Sequence, residues 1–90
     1  MSTKTTKQQL PRWFKGQIYD KGDIVRNPFS KEEYKLNNVE LSMYDFIIGS
    51  QIVFEMAPQT VTEQKVKDFQ RGLDWFRKYN AKAYMILLDR

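Results

Sequence analysis

Asn37 opens the stretch that most restricts how this chain folds. Glu40 stands three residues on, the spacing of a capping box, and Leu36 and Leu41 occupy the N′ and N4 positions of a hydrophobic staple. A helix over about residues 38–56 follows, and Pro58 stops it because proline blocks the preceding turn. Met43, Ile47 and Phe54 fall on one side of the helical wheel, while Leu41, Ile48 and Ile52 fall nearly opposite. A helix apolar on so many sides is expected to be central and buried. Ser42, Asp45 and Gly49 make a narrower strip of small or polar residues. Glycine inside a helix costs about 1 kcal/mol relative to alanine, so Gly49 reads as a place of close backbone approach.

Two further helices follow. Thr60 and Glu63 have the spacing of a second capping box, opening a helix that runs to about residue 79. Val66, Phe69, Leu73 and Phe76 recur on its inward stripe, with Lys67, Arg71, Asp74 and Lys78 outward. Asn80 ends that helix and caps a short one over 81–88, with Tyr84, Leu87 and Leu88 facing in. Before the first helix, Gly22 supplies turn chemistry and Ile24 and Val25 an extended run that Pro28 breaks. A β-hairpin pairing 23–27 with 32–36 is expected, Tyr34 and Leu36 on one face and Glu33 and Lys35 on the other. Two strands alone are marginal, so the hairpin must lie on the helices. The expected fold is α+β: a β-hairpin packed on a three-helix unit.

Ninety residues suffice for one small domain, expected over 10–90, where Leu10, Trp13 and Phe14 provide the first apolar anchors. Residues 1–9 are polar and basic and are expected to form a disordered tail. With no cysteine, packing alone must hold the fold. The longest apolar runs, 46–48 and 85–88, are far short of the roughly 18–20 residues of a membrane span. Lys4 and Lys7 are followed by no apolar stretch, so a secretory leader is not expected and an intracellular setting is. The net charge of +4 is lopsided: residues 1–36 hold eight Lys or Arg against four acids, and residues 37–90 hold seven of each. A basic arm of this kind attracts nucleic acid or an acidic protein surface.

No catalytic set stands out. The absence of histidine and cysteine removes the commonest proton shuttle, the thiolate nucleophile and most transition-metal ligands. Asp20 and Asp23 read as turn residues around Gly22, since a calcium loop needs more oxygen ligands. Glu32 and Glu33 read as a solvated strand end. Gly22 and Gly49 belong to no phosphate-cradling motif. Asp45, inside an apolar helix beside Tyr44, is expected to be buried and bonded to the hairpin backbone or to a base such as Arg26, because an isolated buried charge is very costly. No enzymatic activity, cofactor or metal is expected.

Leu36 and Asn37 with Glu40, then Tyr44, Asp45 and Gly49, and finally LDWFRKYNAKAYMILLD resemble a pattern found in small proteins of marine tailed phages, cyanophages among them. The likeness runs from about residue 22 to 89. It implies a phage setting, expression in the cytoplasm of an infected bacterium or association with the virion, and an accessory role. It brings no activity and no binding residue.

The function expected is protein–protein interaction, with a host or phage protein or with a second copy in a homodimer. The reason is an excess of large apolar side chains over what a thin core can cover. Trp13, Phe14, Phe29, Arg71, Trp75 and Lys78 are the candidate contact residues, since aromatics beside basic groups make typical interface anchors. The alternative is single-stranded nucleic acid, held by Lys4, Lys7, Arg12 and Lys15 with bases stacked on exposed aromatics.

Overall fold

In the computed structural model, residues 8–27 and 30–88 are described. Strands β1 (Asp23–Arg26) and β2 (Glu33–Leu36) form an antiparallel hairpin, followed by helices α1 (Asn38–Met56), α2 (Glu63–Tyr79) and α3 (Ala81–Leu87). The fold is the expected hairpin on a three-helix unit.

The hairpin register pairs Asp23 with Leu36 and Arg26 with Glu33. Asn27 N–H still donates to Glu32 O at 2.8 Å beyond the last ladder pair. Lys31 closes the turn with a positive φ of 68°, its N–H reaching Asn27 O. Tyr34 and Leu36 face inward and Glu33 and Lys35 outward. The Asn27 amide donates to Ile86 O at 2.8 Å, fastening the hairpin to α3. A side chain at Gly22 would put its Cβ 2.1 Å from Leu36 O, so only glycine fits there.

Both bonds of the α1 capping box form: Glu40 N–H donates to Asn37 Oδ1 at 2.8 Å, and Asn37 N–H to Glu40 Oε1 at 3.0 Å. The helix is central for only half its length. Ser42, Met43 and Ile47 are buried, but Ile52 is 51% exposed and Met56 80%. The expectation of burial throughout is corrected. The hairpin and the N-terminal arm cover the first turns, and the later turns meet α2 on one side alone.

The start of α2 is also corrected. Thr62, not Thr60, is the N-cap and accepts from Lys65 N–H at 3.2 Å. Thr60 closes a 3₁₀ turn begun by Pro58, its hydroxyl donating to Ala57 O at 2.8 Å. Proline pre-sets the φ of that turn, so the helix starts later than Thr60 and Glu63 alone imply. Asn80 does what its position implies: its N–H closes α2 on Phe76 O, and its Oδ1 accepts from Ala83 N–H to open α3.

Leu36, Met43, Ile47, Trp75, Phe76, Ala83 and Leu87 form the core, with the hairpin, α1, α2 and α3 all contributing. α1 and α2 run antiparallel. Phe54 meets Phe69 edge-on at 5.3 Å, and Gly72 lies against Ile47 and Met43. Gly72 is thus the glycine of close approach, since an added Cβ would stand 3.2 Å from Ile47. Gly49 is not, because nothing lies within 4 Å of where its Cβ would be. The arm folds over the first half of α1, with Leu10, Trp13 and Phe14 on the core. Among the described residues no helix is long and apolar enough to cross a membrane.

Candidate interaction surface

Trp75 sits four residues before Tyr79 and off the main apolar stripe of α2, which predicts an exposed ring. The ring is instead 8% exposed, and its indole N–H donates to Gln9 O at 3.0 Å. The arm is the reason, since it lies along the side of α2 that a helical wheel leaves open. Gln8 is fixed as well, donating to Glu40 Oε2 and accepting from the Asn37 amide. The last two residues of the expected tail therefore belong to the folded unit; residues 1–7, with Lys4 and Lys7, lie outside the described residues.

Trp13, Arg71, Trp75 and Lys78 do converge, lining one shallow groove of about 300 Å³ together with Asp74 and Tyr79. Its charge is partly spent internally. Arg71 stands 3.7 Å from Asp68, and the Lys78 ammonium lies over the Tyr79 ring at 5.3 Å. Phe14 is turned away, half-buried with its ring 5.5 Å from that of Phe46, which Trp13 also meets at 5.8 Å. Arg12 and Lys15 are exposed. Phe29 lies outside the described residues.

A larger concavity was not foreseen from the sequence. Between α1 and α2 runs an open cleft of about 620 Å³ with Phe46, Val53 and Phe54 as its apolar lining and Gly49 on its lip. Polar groups mark its ends. Asp45 and Lys15 stand beside Phe46, while Lys65 and Thr62 stand toward the α2 N-terminus. Asp68, midway, is nearly buried and accepts from the Gln64 amide at 2.9 Å. The cleft lies between the two helices beside the close contact of Gly72 with Ile47 and Met43. Gly49 was the available sign, a helix-interior glycine that packs against nothing.

Asp45 is exposed, not buried, and its partner is not Arg26, which pairs across the hairpin with Glu33 at 2.7 Å. Asp45 stands near the Tyr19 phenol instead. Burial, and then the charge and hydrogen bond of Asp45, push the Tyr19 phenol up from its usual value; burial alone raises Tyr44. Tyr19 N–H also donates to Ser42 Oγ at 2.9 Å, so the arm crosses α1 on the face that carries Ser42, Asp45 and Gly49.

A buried carboxylate in the first turn of α1 is structural. Glu40, 5% exposed, accepts from Gln8 Nε2 and Asn80 Nδ2 at 2.8 Å each, besides the Asn37 N–H. These three uncharged donors satisfy it, and they tie the arm, α1 and the α2–α3 joint together. No protein-family model matches this sequence, and no curated protein or solved structure matches it.

Proposed function

We propose that the protein works by protein–protein interaction, receiving an apolar segment of its partner in the α1–α2 cleft, and that it catalyses no reaction. The observation that carries this reading is the cleft itself. Its apolar wall at Phe46, Val53 and Phe54 continues onto an adjoining face of α1 where Ile52 and Met56 are exposed. Large apolar side chains grouped at the edge of a concavity, with charges at its ends, match the make-up of a groove that accepts an amphipathic helix. The likeness to small proteins of marine phages supplies the setting, an accessory protein whose partner is a host or phage protein or a further copy of itself.

A second reading rests on the other groove. Trp13 beside Arg71 and Lys78 offers a partly open ring next to two cations, the chemistry that holds single-stranded nucleic acid. The burial of Trp75 removes one of its stacking platforms.

The test is capture from bacterial lysate with and without nuclease, using the wild type, Val53→Asp and Lys78→Ala. A protein retained after nuclease, lost with Val53→Asp and kept with Lys78→Ala supports the cleft. Retention abolished by nuclease and weakened by Lys78→Ala, with a steep fall in salt, transfers the function to nucleic acid.

A further inference from the structure

Asp68 is 8% exposed and lines the α1–α2 cleft, yet the fold uses only half of its carboxylate. Oδ1 takes both partners, the Gln64 amide at 2.9 Å and the Arg71 guanidinium at 3.7 Å. Oδ2 accepts from no group among the described residues. A carboxylate oxygen taken out of water without a donor is costly, so an acceptor left open on a cleft wall marks where a donor from outside is received.

The cations of the cleft do not supply that donor. Lys65 donates to Thr60 O at 3.1 Å, and Lys15 stands exposed at the Phe46 end. Ion pairs of the described residues join Arg26 to Glu33, Arg71 to Asp68 and Arg77 to Asp74, so neither lysine is paired with Asp68. One open oxygen suits a compact ammonium, which needs a single acceptor, better than a forked guanidinium, which engages two. Phe46, Val53 and Phe54 supply the apolar wall along which a long methylene stem can lie while its charged end reaches the carboxylate. We propose that the partner segment received in the α1–α2 cleft presents a lysine, its ammonium on Asp68 Oδ2 and its stem against Phe46, Val53 and Phe54. The proposal rests on the reading of the cleft as an interaction surface and names the chemistry its partner carries.

The test uses the full chain and three short amphipathic peptides that differ only at the centre of the apolar face, with Lys, norleucine or Glu there. Amide NMR shifts at Val53, Phe54 and Asp68 report binding in the cleft, and thermal melts report folding. The lysine peptide is expected to bind at least about tenfold more tightly than the norleucine peptide, and the glutamate peptide most weakly. Asp68→Asn keeps an acceptor for Gln64 but loses the charge. It is expected to hold the melting temperature, abolish the preference for lysine, and leave the norleucine affinity within about twofold. A lysine peptide no tighter than the norleucine one overturns the proposal, since water alone then serves Oδ2. So does an Asp68→Asn variant that weakens both peptides equally, which is the mark of a purely structural carboxylate. The order of the three peptides on the wild type decides the matter even where Asp68→Asn fails to fold. If the norleucine peptide shifts Val53 and Phe54 as strongly as the lysine peptide, the cleft reading stands and the lysine is removed. If no peptide shifts them, both fall.

Discussion

Asn80 serves several parts of the structure at once. Its backbone ends α2 and begins α3, its Oδ1 accepts from Ala83 N–H at 3.1 Å and from the Tyr34 hydroxyl, and its Nδ2 holds Glu40. Asn80→Ala removes a cap and strips a nearly buried carboxylate of one donor, so a loss of roughly 2–4 kcal/mol is expected in urea unfolding. Tyr19 and Tyr44 give the fold an alkaline limit. Their phenols titrate above the usual value near 10 when folded, so the unfolded chain loses those protons first and holds fewer of them as pH rises. Their contribution is complete below pH 10 and is lost as pH climbs through the folded values. Urea midpoints measured from pH 8 to 11 are expected to fall at the top of the range, and Tyr44→Phe to flatten part of that fall.

At the scale of elements, the two interior glycines of the helices separate cleanly. Gly72 is clamped between Ile47 and Met43, and Gly72→Leu is expected to overpack the α1–α2 contact and cost about 1–3 kcal/mol. Gly49→Ala, with open space at the Cβ, is expected to gain about 1 kcal/mol in the monomer. Chemical denaturation of both variants checks the pair, and equal effects would contradict the packing described. The α2 cap makes a similar contrast. Thr62→Ala is expected to cost about 1 kcal/mol and Thr60→Ala less, because only Thr62 accepts from a helix N–H. The capping signal was legible in the residues, but two threonines stood within its reach, and Pro58 decided between them.

For the whole molecule, the N-terminal arm is the piece that makes a thin helical unit hold together. It covers Trp75 through Gln9, packs Trp13 and Phe14 at a tilt against Phe46, and bonds Glu40 through Gln8. Removing residues 1–14 is expected to red-shift the emission of Trp75 and lower the thermal midpoint by several degrees or more, since both rings and a buried carboxylate lose their cover. An unchanged spectrum and midpoint would show that the arm contributes nothing to the fold. The same arm explains where the exposed apolar surface lies. It shields the first half of α1 and leaves Ile52, Val53 and Met56 open beyond its reach.

The amino-acid sequence alone determined the elements. The capping box at Asn37, the break at Pro58, the stripe from Phe69 to Phe76, and Asn80 between two helices are local patterns, and local hydrogen bonding and periodicity realise them directly, whereas Val66, expected on the same stripe, is exposed before α2 reaches the core. Tertiary structure decided which faces stay open. Trp75 is off-stripe on its own helix and Asp45 lies inside an apolar one, yet the arm buries the first and solvent reaches the second. Residues 66 positions apart, such as Gln9 and Trp75, meet only when the chain closes, and helical periodicity contains no information about such contacts. For the same reason the α1–α2 cleft could be seen only in the folded molecule. It is lined by residues of two helices and of the arm, Phe46, Val53, Lys65 and Lys15 among them, that stand far apart in the sequence.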